Sequence, residues 1–177
     1  MKNLILLFLC LPILCVAQDD SATNIPIVDG KVVFSESYEP SLTKQEIHNQ
    51  LIELLNSTLA DKGVLTLDDY EQGVFACRVI DYLSVEEKPL MTFAMNIRYT
   101  LVFQYDDNSC SVKIRNLSYT EPEDESNGDV YPAEYILIDK KYKVLMIKEA
   151  SKKITNRTIE YMEQLFKQVG YKLKIKN

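Results

Sequence analysis

From Leu90 to Tyr105 the chain alternates with a period of two. Met91, Phe93, Met95, Ile97, Tyr99, Leu101, Phe103 and Tyr105 fall on one side of an extended strand. Thr92, Asn96, Arg98, Thr100 and Gln104 fall on the other. A long strand with one apolar side and one wet side belongs to an antiparallel sheet that is covered on one face only. The other elements must supply that cover.

The flanking segments read as its neighbours. Asp106-Asp107-Asn108 is a hairpin turn. Cys110 to Tyr119 returns, with Cys110, Val112 and Ile114 on the apolar face. Upstream, Val74 to Leu83 is a strand followed by a turn at Glu86 to Pro89. Val64 to Tyr70 is a weaker strand that ends at Glu71-Gln72-Gly73. Val32-Val33-Phe34 is a first strand after an Asp29-Gly30 turn.

Two helices complete the pattern. Thr43 with Glu46 forms a capping box, and Leu42 with Ile47 a hydrophobic staple. The helix behind them aligns Ile47, Leu51, Leu54, Leu55 and Leu59, and Asp61-Lys62-Gly63 ends it. A last helix is expected from Asn156 to Val169, with Tyr161, Met162, Leu165, Phe166 and Val169 as its stripe and Gly170 as its stop. Pro132-Ala133-Glu134 opens a segment, Tyr135 to Ile147, whose pattern assigns it to no element. The layout is α+β: a single curved antiparallel sheet of about five strands with two helices packed on one face.

Ahead of this domain stands a leader. Lys2 is followed by an apolar run, Leu4 to Leu14, and by the small-residue site Cys15-Val16-Ala17. Residues 1–17 therefore read as a signal peptide, too short to cross a bilayer as a stable span. Residues 18–24 read as a flexible stalk and 25–177 as one domain. The mature protein is expected to be exported, either periplasmic or at the cell surface, with no transmembrane span. Leu9 before Cys10 and Leu14 before Cys15 do not suit a lipobox.

Charge and residue counts exclude several function classes. Twenty Lys and Arg against 26 Asp and Glu give a net charge of −6, which argues against nonspecific nucleic-acid binding. Beyond the leader only Cys77 and Cys110 remain, neither in a CxxC, and the chain has one histidine, so a Cys/His zinc site is not expected. Five scattered glycines make no phosphate-cradling loop, and no cofactor is expected. There is no Gly-x-Ser-x-Gly elbow. His48 lies off the helix stripe and reads as a solvated position. Glu121, Glu123, Asp124, Glu125 and Asp129 lack the spacing of an EF-hand and read as a solvated loop before a calcium site.

The open face of the sheet carries the one suggestive pattern. With the odd residues of the long strand turned inward, Arg98 points out. Pairing then sets Lys113 and Arg115 on one side of it and Arg78 on the other, with Ile80, Tyr82, Leu117 and Tyr119 on the same face. Arg78, Tyr82, Arg98, Lys113, Arg115 and Tyr119 are the candidate ligand-binding residues. The competing reading is that long basic side chains simply cover a wet sheet face.

Several of these stretches resemble a known family. They are Ile25-Pro26-Ile27-Val28-Asp29-Gly30-Lys31-Val32-Val33-Phe34, the helix opening Ser41-Leu42-Thr43-Lys44-Gln45-Glu46, the turn Asp106-Asp107 and the run Pro132-Ala133-Glu134-Tyr135-Ile136. Together they resemble an exported domain of unknown function with a TATA-binding-protein-like fold, common in the Bacteroidetes. The resemblance covers roughly residues 25–175. It implies a strand–helix–meander–helix saddle with sheet order 1-5-4-3-2, and it supplies no catalytic residues. That order would set Cys77 and Cys110 on strands separated by a third. Next-nearest strands lie about 9.6 Å apart, whereas a disulfide tolerates Cα separations only up to about 7 Å. The resemblance thus implies two buried thiols rather than a disulfide.

The expected function is an exported, non-catalytic binding or interaction module for a protein, glycan or anionic ligand. The alternatives are a hydrolase of envelope polymers, built on carboxylates that the sequence does not single out, and a purely structural envelope protein.

Overall fold

The computed structural model describes residues 25–89, 91–122, 129–144 and 149–174. The leader and stalk expected at residues 1–24 lie outside the described residues. The chain opens with a small hairpin, β1 (Ile27–Val28) and β2 (Lys31–Val32). Asp29 (φ 50°) and Gly30 (φ 74°) form its turn, with the mirror-image geometry that hairpins favour. Then follow β3 (Phe34–Tyr38), α1 (Lys44–Ser57), β4 (Gly63–Asp69), β5 (Val74–Lys88), β6 (Met91–Asp106) and β7 (Ser109–Thr120). A short β8 (Tyr131–Pro132), a π-helical turn (Glu134–Ile138) and α2 (Ala150–Lys172) complete the described elements.

Among the described residues one antiparallel sheet runs β3-β7-β6-β5-β4, with β8 added beside β7. This is the order 1-5-4-3-2 with one short strand more. Both helices pack on the same face of the sheet. Met95, Ile97, Leu101 and Phe103 are fully buried there, so the odd residues of β6 do face the core.

The start of α1 forms as its sequence dictates. The Glu46 N–H donates to Thr43 Oγ1 (3.3 Å), and the Thr43 N–H donates to Glu46 Oε2 (2.8 Å). Leu42 and Ile47 are both buried beside the cap. The helix stops at Ser57, four residues short of the expected Asp61-Lys62-Gly63 signal. Gly63 instead opens β4, where a Cβ would come within 2.8 Å of Leu55 Cδ1.

Three other boundaries differ from the sequence reading, each for a local reason. The first strand breaks at Val33 into β2 and β3. The turn expected at Glu86 to Pro89 comes later: β5 continues to Lys88, which pairs with Met91, and Pro89 stands in the turn between the two strands. A bulge between Ser84 and Glu86 turns Glu86 toward α2, where Lys153 Nζ meets its carboxylate at 2.8 Å. Finally, α2 begins at Ala150 and runs through Gly170 to Lys172. Its first turns bury hydroxyls beside Ala150 and Ile154: Ser151 Oγ donates to the Tyr142 carbonyl and Thr155 Oγ1 to the Ser151 carbonyl, both at 2.8 Å. Gly170 is a contact point, with Tyr38 Cε1 at 3.3 Å from where a Cβ would stand.

Gly73 closes the β4–β5 turn at φ 63°, and its carbonyl accepts the Tyr105 N–H at 2.8 Å. A Cβ there would overlap the Tyr105 carbonyl oxygen. Gly73→Ala is therefore expected to cost about 3 kcal/mol or more in urea unfolding. Gly30→Ala has the same left-handed backbone but nothing within 4 Å, so it should cost only about 1–2 kcal/mol. Equal losses would show that the close approach at Gly73 is not what requires glycine.

Candidate functional site on the open sheet face

The register of the sheet places the candidate residues. Arg78 on β5, Thr100 on β6 and Arg115 on β7 lie directly opposite one another in one row. The next row holds Ile80, Arg98 and Ser118, and the row on the other side Ala76, Val102 and Lys113. Tyr82 pairs with Asn96 one row further along. Five of the six expected residues, Arg78, Tyr82, Arg98, Lys113 and Arg115, thus share the face that the helices leave open. Arg78, Lys113 and Arg115 are exposed and Arg98 is half-buried. Tyr82 is 54% exposed and Ile80 40%, and they form the apolar part of this face.

Tyr119 is the correction. It is fully buried on the helix face, where its hydroxyl and that of Thr158 bond at 2.7 Å. Leu117 is buried as well. The cause is a β-bulge: Arg98 pairs with Ser118 but Thr100 with Arg115, so β7 carries one extra residue. Asn116 absorbs it in a left-handed conformation (φ 56°). One extra residue exchanges the two faces of a strand. Before the bulge the even residues Cys110, Val112 and Ile114 face the core, and after it the odd residues Leu117 and Tyr119 do.

The electrostatics of the open face are one-sided. The four rows from Leu67–Lys113 to Tyr82–Thr120 contain no carboxylate among the described residues. Among the described residues, no acid forms an ion pair with Arg78, Arg98, Lys113 or Arg115. The Arg98 Nε is buried and has no hydrogen-bond partner. Thr100 Oγ1 accepts only a long bond from Asn116 Nδ2 (3.5 Å).

Two further polar clusters lie on the helix side. Tyr161 Oη donates to Asp81 Oδ2 (2.7 Å), so the Tyr99 hydroxyl, 2.8 Å away, donates to Tyr161. Lys62 Nζ and the Tyr82 N–H complete the shell of Asp81 at 2.7–3.0 Å. A cavity of about 260 Å³ lies beside them, reached by Thr58, Gln164 and Gln168. Every lone pair of Asp81 is already engaged, so this network fixes helix to sheet. No sequence signal announced it, because its members come from three separate elements.

His48 is not the solvated residue expected. Its side chain is 12% exposed, its Nε2 lies 2.8 Å from Asp68 Oδ1, and its ring stacks on Tyr105. Tyr70 and Phe75 meet it edge-on. These partners come from the far end of the β4–β5 and β6 strands and are invisible in helix periodicity. The Tyr105 hydroxyl is pushed up to about 12 by burial, with Asp68 adding to it.

Cys77 and Cys110 are buried free thiols on β5 and β7, with β6 between them. Burial raises them to about 11 and about 12, which makes them unreactive packing groups. Residues 123–128 of the acidic loop lie outside the described residues; Glu121 accepts the Tyr142 hydroxyl at 2.8 Å. Among the described residues, no group of three His, Cys, Asp or Glu is placed to hold a metal ion, and no helix is long and apolar enough to cross a membrane.

Residues 37–120 match the model of a family described as a domain of unknown function (DUF4468) with TBP-like fold. The crystal structure of a DUF4468 family protein from Bacteroides ovatus is similar with a TM-score of 0.71 at 19% identity, over 88% of this chain and 95% of that one. The crystal structure of a TBP-like protein from Parabacteroides distasonis gives 0.70 at 18% identity, over 86% and 99%. At such identities the likeness is one of fold. None of the curated proteins matches the chain.

Proposed function

We propose that this chain, which carries a DUF4468 domain of TBP-like fold, is an exported, non-catalytic binding module that takes its ligand on the open face of the sheet. The supporting observation is the set of four cations, Arg78, Arg98, Lys113 and Arg115, in four rows that hold no carboxylate among the described residues, in a chain of net charge −6. If these side chains served only to keep the sheet wet, an acidic protein would be expected to balance them locally with Asp or Glu. Cations left unneutralised beside the exposed Ile80 and Tyr82 favour an anionic ligand with an organic body. The leader at residues 1–17 puts that ligand outside the cytoplasm.

The test uses immobilised dextran sulfate, with neutral dextran as the blank. Wild type should be retained, and Arg98→Ala with Arg115→Ala should elute at least about tenfold more weakly, since each charged contact is worth about 1.5–3 kcal/mol. The melting temperature should stay nearly unchanged. Lys140→Ala with Lys143→Ala, two exposed cations outside the sheet, should behave as wild type. Equal retention of the two double variants would overturn the reading. Unfolding of the arginine variant would make those side chains structural and overturn it too.

A further inference from the structure

We propose that Arg78, Arg98 and Arg115 close a seat for a single phosphate monoester group above Thr100. The inference rests on the open-face reading and narrows it from an anionic ligand to one chemical class. Arg78 and Arg115 stand directly opposite Thr100 on its two neighbouring strands, each about 4.8 Å away across the sheet. Arg98 stands two residues before Thr100 on the same strand, about 6.8 Å along it. Three arginines thus flank one small hydroxyl, two of them across the sheet and one along the strand. All of them project from the face that the helices leave uncovered.

Each arm has hydrogen-bonding capacity to spare. No described carboxylate pairs with any of the three arginines. Arg98 is half-buried, and its buried Nε is without a partner. A buried, unmatched donor on a charged group is costly, and a ligand oxygen would satisfy it. Thr100 accepts a bond from Asn116, which leaves its own O–H free to donate.

The ligand class follows from counting. A phosphate monoester presents three terminal oxygens and about two negative charges near neutral pH. Three planar guanidinium forks match three such oxygens bidentately. A carboxylate has two oxygens and one charge, and would leave at least one fork empty. The ester's organic part would lie toward Ile80 and Tyr82, the exposed apolar shoulder in the rows next to the arginines. Lys113, one row beyond Arg115, adds attraction without reaching the seat.

The experiment is a titration of the isotope-labelled protein with inorganic phosphate, sulfate and acetate at matched ionic strength, followed by NMR. Phosphate should produce saturable shifts at the Thr100 amide and at the Arg78, Arg98 and Arg115 side-chain N–H groups. Acetate should bind at least about tenfold more weakly, the cost of losing one charged bidentate contact. Arg98→Lys, which keeps charge but loses the fork, should weaken phosphate by a similar factor, and Lys113→Ala by much less. Sulfate, a dianion with as many oxygens, should compete with phosphate for the same resonances; acetate equal to phosphate overturns the assignment, as do shifts spread linearly over all surface cations. A failure of phosphate while dextran sulfate still separates wild type from the Arg98/Arg115 variant defeats this inference alone. Failure of both removes the open-face reading as well. The titration of the unaltered protein decides the case even if a variant does not fold.

Discussion

Deleting Asn116 is expected to unfold the domain. The residue makes one long hydrogen bond, from its Nδ2 to Thr100 Oγ1 (3.5 Å), and its side chain is exposed. Its importance is one of count. Without it, β7 would lose its bulge and every residue after position 115 would change face. Leu117 and Tyr119, now buried, would turn to solvent. Thr158, fully buried, would lose the Tyr119 hydroxyl as its partner. Exposing two large side chains costs roughly 1.5–3 kcal/mol each, and an orphaned buried hydroxyl about 1–3 kcal/mol. The total approaches the whole stability of an ordinary domain, about 5–15 kcal/mol. Asn116→Gly keeps the count and the left-handed backbone, and should melt close to wild type. Circular dichroism melts of both variants check this. A folded deletion variant would show that the bulge can be moved or removed without exchanging the faces.

The second large effect is a collapse of stability in alkali. Burial raises the phenols of Tyr99 and Tyr119 above the ordinary value, holds Tyr105 at about 12, and raises the thiols of Cys77 and Cys110 to about 11 and about 12. Each folded-state value lies above that of the unfolded chain. The associated stability is therefore fully present below pH 9 and is lost as pH rises. Past pH 9 the unfolded chain releases the two thiol protons that the fold retains, and past pH 10 the phenol protons follow. Five such groups steepen the loss to on the order of 5 kcal/mol per pH unit between pH 10 and 11. The domain should unfold within that window, with the tyrosinate absorbance rising in step with the loss of ellipticity. Tyrosines that ionise one by one near pH 10 in a protein still folded would contradict the burial of these rings.

The parts of the fold legible in the sequence are those where one local rule operates undisturbed. The alternation of β6 needs only its own period, and the α1 cap needs only Thr43 and Glu46. The misreadings arise where a distant partner overrides a local pattern. Glu86-Glu87-Lys88 has turn composition, yet β5 passes through it because Lys153 lies over Glu86. Ser151 and Thr155 weaken the stripe of α2, but their hydroxyls bond within the fold and let the helix begin early. His48 leaves its helix stripe and still finds three aromatic rings and Asp68. In β7 a signal was present: apolar residues switch from even to odd positions at Asn116, a residue type that tolerates positive φ. Five of six candidate residues were correctly placed because all five lie on strand stretches whose parity holds. Tyr119 lies beyond the break.

The bonds between α2 and the sheet have a bearing on the far side of that sheet. Tyr161 grips Asp81 on β5 and Tyr99 on β6, and Thr158 grips Tyr119 on β7. The helix is a crossbar pinned to three consecutive strands by directional bonds, which a sliding apolar seam would not provide. Those strands are the ones that carry Arg78, Arg98 and Arg115. The three strands that carry the arginines are therefore tied together from behind by a part of the chain that never touches the open face.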